Sequence, residues 1–328
     1  MTKFSILDLA PVPEGSNVRE TLQNSLELAQ LADELGFERY WLAEHHNMPG
    51  IGSAATSVVI GHIAAGTQRI RVGSGGIMLP NHSPLVIAEQ FGTLEALFPG
   101  RIDLGVGRAP GTDGFTLRAL RREPSASNSF PDDVQELIHL LGPESPGQRV
   151  VATPGVGSNV PVWMLGSSTF GARLAAQLGL PYAFASHFAP AQLHQALHAY
   201  RENFRPSGHL SKPYVIVAGT FAVADTTEEA QYLFSSAKLA FAKLARNERG
   251  KLPRPVENID QLLGPTAKVL EKTTFERSFV GTPFEVRNGL DYFIRETGAD
   301  EVILCDYIHD QKKRLRSYQL LAEVMGTL

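Results

Sequence analysis

The sequence predicts an α/β fold, a (β/α)8 TIM barrel with long rim loops, formed by a single domain over residues 1–328. Short apolar runs alternate with segments of helical periodicity, which is typical of repeated βα units. Eight such runs interleaved with a similar number of helices fit a closed barrel better than an open sheet. The strands are predicted at 3–9, 38–43, 70–77, 101–106, 161–165, 182–186, 214–222 and 301–305.

The helices are recognised by their periodicity and by the residues at their ends. Apolar residues between Leu22 and Leu35 follow the spacing of an amphipathic helix, and Gly36 ends it. A second helix is predicted at 53–65 with Ser53 as its cap, and a third begins at Ser83 and Pro84. The later helices are predicted near 131–141, 169–178, 190–204, 227–246, 284–297 and 311–325.

Three stretches are too long for ordinary connections in a barrel. Segments 107–130 and 247–282 have the length of loops that are functional or mobile, and the second is a candidate lid. Segment 142–160 is rich in glycine and proline, and we expect a hairpin through residues 148–153.

Composition excludes several classes of protein. With 43% hydrophobic and 20% charged residues, the chain has the composition of an ordinary globular protein, and its net charge of −4 argues against a nucleic-acid partner. Cys305 is the only cysteine, so we expect a buried, inert thiol and neither a disulfide framework nor a cysteine metal site. The N-terminus lacks an apolar signal core and the chain lacks a long apolar stretch, so a cytoplasmic protein with no membrane contact is expected.

The run from Trp41 to His46 is the most informative motif. An apolar strand ends there in Glu44, His45 and His46, at the strand end where α/β proteins keep their chemistry. A histidine changes charge near neutral pH and suits proton transfer, whereas structural histidines at such positions are also common. Glu44 is expected to accept a hydrogen bond that fixes a tautomer, or to stay buried as a structural carboxylate, and His46 to be structural or substrate-facing.

Features at the ends of the next three predicted strands point to a phosphorylated ligand. Gly166, Ser167 and Ser168 connect a strand to a helix and offer backbone N–H groups and hydroxyls to a phosphate, although capped turns of this kind are common. Arg108 follows strand four and suits an anion, unless it forms a surface ion pair. Glycines around Gly75 and Gly76 indicate a flat ligand close to the backbone, or tight packing instead.

Together these strand ends describe a site for a planar, phosphorylated cofactor. The alternative of a Rossmann phosphate loop is not supported, because Pro110 stands where the third glycine of Gly105-x-Gly107-x-x-Gly should be. No metal ligand set is predicted.

The chain resembles the bacterial luciferase-like family of flavin-dependent monooxygenases, within it a group with no assigned substrate. The resemblance is spread over most of the chain, and its motifs are far more specific together than singly. They are FERYWLAEHH (37–46), IRVGSGGIMLPNHSP (70–84), FPGRIDLGVGRAPGTD (98–113), WMLGSS (163–168) and GADEVILCDYIHDQKKRLRSYQLLAE (298–323).

The resemblance implies a barrel that binds reduced FMN. Its phosphate would lie on Gly166, Ser167 and Ser168 with Arg108 adding charge, and His45 would serve proton transfer. Its ring would lie against Gly75-Gly76, the pair that matches a non-prolyl cis peptide of the family, and Ala10 and Pro11 would border the ring edge. A Cβ at Gly76 is then expected to occupy the ring's space, so that Gly76→Val would abolish flavin binding while the fold survives.

Two departures from luciferase limit what the resemblance implies. Gly107 stands where luciferase carries a reactive cysteine, and Gly166 replaces an acidic residue. Segment 247–282 also does not match closely, so an aldehyde-oxidising, light-emitting reaction is not implied.

The function expected from the sequence is that of a two-component FMN monooxygenase. A separate NAD(P)H:flavin reductase would supply the reduced flavin, and O2 would oxidise a small organic substrate. The alternatives are an F420-dependent hydride-transfer oxidoreductase on the same barrel and a non-catalytic flavin-binding protein. A homodimer is expected, with Val58, Val59, Ile63 and Phe91 on helices two and three as the interface.

Overall fold

The computed structural model describes residues 2–109 and 112–328. Within these ranges the strands are β1 Lys3–Asp8, β2 Arg39–Leu42, β3 Arg71–Met78, β4 Ile102–Gly107, β5 Val162–Gly166, β6 Tyr182–Phe184, β7 Val215–Val223, β8 Ser278–Gly281 and β9 Glu301–Cys305. The helices are α1 Val18–Leu35, α2 Thr56–Ala65, α3 Pro84–Leu97, α4 Gly114–Ala119, α5 Phe130–Leu141, α6 Thr169–Leu178, α7 Leu193–Asn203, α8 Thr227–Ala245, α9 Ile259–Leu263, α10 Pro265–Lys272, α11 Pro283–Thr297 and α12 Gln311–Met325.

Eight of the strands close into a parallel barrel with helices between them, so the predicted (β/α)8 fold is confirmed. Around the barrel the order is β1, β2, β3, β4, β5, β6, β7 and β9, and β9 pairs back to β1. The strand β8 is outside the ring and pairs with the C-terminal half of β7, from Thr220 to Val223. All pairings are parallel, so every strand delivers its C-terminal end to the same face of the barrel.

The predicted strands correspond to the eight barrel strands, and the helix ends follow the local signals. Gly36 ends α1 in a left-handed conformation with a φ of 81°, which glycine adopts without steric cost. Pro84 opens α3 as predicted. The cap predicted for α2 was wrong: Ala55 precedes the helix, while the Ser53 hydroxyl donates a hydrogen bond of 2.6 Å to the carbonyl of Ala43.

The long segments contain structure that the sequence did not predict. Segment 107–130 includes α4, and segment 247–282 includes α9, α10 and the whole of β8. The hairpin predicted through residues 148–153 was wrong, because this stretch contains turns and irregular backbone without strand pairing. Short elements of this kind depend on packing against the barrel and carry little periodicity of their own.

Charged side chains fill the N-terminal end of the barrel interior. Arg39 donates to Glu301 at 2.8 Å and to Asp103 at 2.9 Å, and Arg71 also bonds Asp103. All of these groups stand at or near the first residues of their strands, and both carboxylates are fully buried. This paired layer occupies the lower end of the barrel, so a ligand cavity can open only toward the C-terminal ends of the strands.

The packing of α2 and α3 corrects the predicted dimer interface. Val59, Ile63 and Phe91 are buried in the core of the barrel, and among the four residues proposed only Val58 is exposed. In residues 2–109 and 112–328, no helix combines the length and apolar character needed to cross a membrane.

Candidate active site

A cavity of about 760 Å³ opens at the C-terminal ends of the strands. Its size is within the range of roughly 300–1,000 Å³ that is typical of cofactor and substrate sites. The structure brings nearly all of the residues predicted for the site to its wall. Those that line it are Pro11, His45, Gly75, Gly76, Arg108, Gly166, Ser167 and Ser168. Ala10 is fully buried and is not among the described residues that line the cavity.

One end of the cavity is polar and open to solvent. Gly166 is the last residue of β5, and Ser167 and Ser168 lead into α6. Ser168 caps this helix without a side-chain capping hydrogen bond, so its hydroxyl is left for another partner. The Arg108 guanidinium lies 4.0 Å from the ring centre of Phe170 in the first turn of α6, which brings its charge beside the helix N-terminus. This arrangement suits a phosphate, because the charge, the hydroxyls and the helix dipole all favour an anion.

The wall formed by β3 contains a cis peptide between Gly75 and Gly76, as the family resemblance predicted. The absence of side chains here has a packing reason, which was the alternative to a flat ligand. A Cβ at Gly76 would lie 2.7 Å from the carbonyl oxygen of Gly105, and one at Gly75 would lie 2.7 Å from Leu7 Cδ1. The expectation that Gly76→Val would spare the fold was therefore wrong, because the side chain would collide with the backbone of β4.

Another part of the cavity wall contains His45, three residues after the end of β2. Its Nδ1 is buried and has no hydrogen-bond partner among the described residues. Burial lowers the pKa of His45, and the charge of His46 acts in the same direction against that of Glu44. The imidazole is therefore neutral at pH 7 and has a lone pair with which to accept a proton.

Glu44 serves the two neighbouring histidines rather than His45. Its Oε1 accepts hydrogen bonds from Nε2 of His46 at 2.7 Å and from Nε2 of His82 at 2.8 Å, and its Oε2 accepts the Met78 N–H. Burial would raise the pKa of Glu44, but these hydrogen bonds outweigh it and lower that pKa. One potential ligand atom from each of Glu44, His46 and His82 lies within 4.8 Å of the other two, a spacing that a divalent cation can also use.

Sequence reasoning missed His187, which lies three residues after the end of β6 and also lines the cavity. It is 8% exposed, and its Nδ1 has no hydrogen-bond partner in the described chain. Burial, with a smaller contribution from a charge on His45, lowers the pKa of His187 to about 3. The same position rule that identified His45, a histidine just after a barrel strand, would have found it.

Long segments and apolar side chains complete the wall. Lys243 from α8 and Arg249 and Lys251 from the loop after α8 reach the rim, where Arg249 is paired with Asp113 at 2.6 Å. The interior lining is mainly apolar and includes Leu7, Trp41, Ala183, Ala218, Ile303 and Tyr307. Such a wall excludes water from a ligand that reaches the middle of the barrel.

Comparison with known proteins identifies what this chain is similar to. The family model described as luciferase-like monooxygenase matches residues 2–301. A luciferase-like monooxygenase of Escherichia coli (strain K12) is 54% identical over 326 residues, which cover 99% of this chain and 97% of that protein. The N-acetyl-S-alkylcysteine monooxygenase of Bacillus subtilis (strain 168) is 32% identical over 335 residues, covering 99% of this chain and 98% of that protein.

Solved structures agree on the fold. The crystal structure of apo-MsnO8 superposes with a TM-score of 0.93 at 39% identity, covering 99% of both chains. More distant neighbours show the fold alone, and they bind different cofactors. The oxygenating constituent of 3,6-diketocamphane monooxygenase, solved with FMN, has a TM-score of 0.72 at 17% identity and covers 98% of this chain and 97% of that chain. An F420-dependent secondary alcohol dehydrogenase has a TM-score of 0.71 at 15% identity and covers 99% of this chain and 98% of that chain.

Proposed function

The chain belongs to the luciferase-like monooxygenase family, and from that premise we propose that it is a two-component FMN monooxygenase that works as a single barrel domain. It would take reduced FMN from a separate NAD(P)H:flavin reductase and use O2 to oxidise a small organic substrate. The observation that carries the proposal is that one cavity is lined both by an anion cradle and by a neutral histidine whose Nδ1 has no hydrogen-bond partner among the described residues.

The residues of the cradle would hold the cofactor by its phosphate. Arg108 would donate charge-assisted hydrogen bonds to it, and Ser167, Ser168 and the first N–H groups of α6 would complete the contacts. The isoalloxazine ring would then lie along β3 at Gly75 and Gly76, with Pro11 at its edge. Ala10 would support that edge from behind, because its side chain is buried.

When bound, reduced FMN supplies the electrons that activate O2. The part of this chain is to shield the reacting atoms and to manage a proton. The apolar wall around Trp41 and Ile303 would exclude water, and His45 would accept a proton at a ring nitrogen, since burial keeps it neutral at pH 7.

An oxygen-uptake assay with both cofactors tests the proposal. The chain is mixed with a flavin reductase, NADH and FMN, and separately with F420H2, in the presence of candidate substrates. The relative that is named for N-acetyl-S-alkylcysteine makes thioethers the first class to assay. We expect substrate-dependent oxygen incorporation with reduced FMN and no hydride transfer from F420H2.

Two outcomes would replace the proposal with one of its alternatives. Oxidation of F420H2 without oxygen consumption would identify the deazaflavin oxidoreductase. Tight FMN binding without turnover of any thioether, ketone or aldehyde would support the non-catalytic flavin-binding protein.

The remaining parts of the proposal concern partners and location. We propose that the chain forms a homodimer in the cytoplasm, with the exposed surface of α2 and α3 around Val58 as one contact region. Light scattering is expected to give twice the 35.7 kDa mass of one chain. The mass of a single chain would contradict the dimer.

A further inference from the structure

His187 stands directly across the barrel from His45. Each follows its strand by three residues, His45 after β2 and His187 after β6. In the closed ring β2 and β6 are separated by three strands on either side, so their ends face each other across the mouth. Both side chains line the same cavity.

Contacts with neighbouring strands fix the backbone and the ring of His187. The Thr220 hydroxyl on β7 donates to the His187 carbonyl at 3.3 Å, and the adjacent Ser186 hydroxyl donates to the Ala218 carbonyl at 2.5 Å. The Phe188 ring meets the imidazole edge to face, with 4.8 Å between ring centres. The ring is thereby held at the wall without a hydrogen bond that would occupy its Nδ1.

The Nδ1 atom is closed off from the cavity, whereas Nε2 makes no hydrogen bond to a described residue and belongs to the 8% of His187 that is exposed at the cavity wall. A ligand in the cavity can therefore supply the missing partner of Nε2. Burial keeps the imidazole uncharged over the physiological range, since it lowers the pKa of His187 to about 3. An uncharged imidazole can donate one hydrogen bond and accept another, but it offers no charge to a carboxylate or an ammonium group.

We propose that His187 is a second catalytic residue that hydrogen-bonds the organic substrate across the cavity from His45, and that this substrate carries an uncharged polar group on an apolar body. The apolar body would pack on Ala183, Ala218 and Ile303, which line the cavity near β6, β7 and β9. The role as a catalytic residue rests on the proposed function, whereas the hydrogen bond to an uncharged polar ligand does not.

Three ligands of similar size distinguish the contributions of apolar packing, hydrogen bonding and charge to this binding. Acetophenone has an apolar ring and one uncharged acceptor, isopropylbenzene has the same shape without the acceptor, and benzoate carries a charge. Binding is measured on the full chain by histidine ring 15N NMR, without FMN and again with saturating oxidised FMN. His187→Phe removes the hydrogen bond, His187→Asn retains one, and His198→Phe changes an exposed histidine of α7 as the control.

We expect the wild-type protein to bind acetophenone roughly 3- to 10-fold more tightly than isopropylbenzene, the worth of one neutral hydrogen bond. Benzoate should bind more weakly than acetophenone. The His187 ring signals should shift with acetophenone, and His187→Phe should lose the preference that His187→Asn partly keeps and His198→Phe keeps fully.

Unmoved His187 signals, a preference that survives in His187→Phe, or no binding of acetophenone by the wild type would each overturn the proposal. A chain that binds no FMN but shows the His187-dependent preference would refute the proposed function and leave this binding site standing. The two failures are therefore distinguishable.

Discussion

The phosphate-binding part of the cavity wall and the two histidines differ in exposure and in what their polar groups can do. At the phosphate end, Arg108 and Ser167 are exposed to solvent, and their charge and hydroxyls suit an anion. The two histidines, on opposite sides of the barrel mouth, are less exposed: His187 is buried and His45 half-buried, and each has a buried Nδ1 without a partner among the described residues. Exposed groups can bind a charged ligand at little desolvation cost, whereas neutral imidazoles shielded from water are suited to proton transfer. Because the two sets of groups have different roles, we expect substitutions to change FMN affinity and turnover separately.

The largest expected effect is at His45. His45→Ala should lower turnover by roughly 10²–10⁴-fold, the usual contribution of a general acid or base, since it removes the proton acceptor. The FMN dissociation constant should change little, because the proposed cofactor contacts are on other strands. Turnover is measured with reduced FMN and a thioether substrate, and His62→Ala, at an exposed histidine of α2, is the control. Loss of flavin binding in His45→Ala would contradict the assignment of FMN binding and proton transfer to different residues.

A substitution of Arg108 tests the phosphate-binding part of the cavity. Arg108→Ala should weaken FMN binding by roughly 1.5–3 kcal/mol, the range for charge-assisted hydrogen bonds. Turnover at saturating FMN should be nearly unchanged. The matched control is Arg118→Ala, because Arg118 also lies over a phenyl ring, that of Phe115, and is not among the described residues that line the cavity. Equal affinity in wild type and Arg108→Ala, measured by fluorescence titration, would place the phosphate elsewhere.

The burial of His187 predicts a pH dependence of stability. The folded-state pKa of His187 is about 3, below the ordinary value of 6.5, so between these values the unfolded chain binds one more proton. The free energy of unfolding should therefore fall as the pH is lowered. From pH 6.5 to 4.5 this group alone should remove about 2 kcal/mol. Urea unfolding of the wild type and of His187→Phe measures it.

The quantity compared between the wild type and His187→Phe is the slope of the free energy of unfolding against pH. A loss of stability that is the same at every pH does not change this slope. The variant should lose less stability than the wild type over the same interval. Parallel curves for the two proteins would show that the pKa of His187 is not lowered in the folded state, and that its imidazole is not desolvated.

The smallest effect is expected at Phe170. Phe170→Leu removes the ring over which the Arg108 guanidinium lies, and cation–π contacts at exposed sites contribute about 0.5–1 kcal/mol. FMN binding should weaken by roughly 2- to 5-fold through a less well-placed Arg108. Phe115→Leu under Arg118 is the control. A loss as large as that of Arg108→Ala would mean that Phe170 itself contacts the ligand.

Local sequence signals predicted the parts of the fold that depend on local chemistry. Each barrel strand follows an apolar run, and helix ends at Gly36 and Pro84 follow from the backbone preferences of glycine and proline. The same strand ends identified His45, Arg108 and the Gly166–Ser168 turn as neighbours in one site. The parallel arrangement made this possible, because it places all strand C-termini on one face.

Predictions that needed packing information failed. The sequence cannot show that a Cβ at Gly76 would collide with the Gly105 carbonyl, since the two strands meet only in the sheet. It also assigned Val59 and Phe91 to a surface, although both are buried. An apolar helix residue can face the core or a partner, and periodicity alone does not distinguish the two.

By itself the sequence determined the barrel, the face on which the cavity opens and the kinds of polar group that line it, because strand periodicity and turn chemistry are local. Only the tertiary structure decided which groups meet. Glu44 bonds His82, which is 38 residues away, while the Nδ1 of its chain neighbour His45 has no hydrogen-bond partner among the described residues. His187 faces His45 only because β6 closes the ring opposite β2. Hydrogen-bond partners and burial are set by closure of the barrel, and closure brings together residues that no local pattern connects.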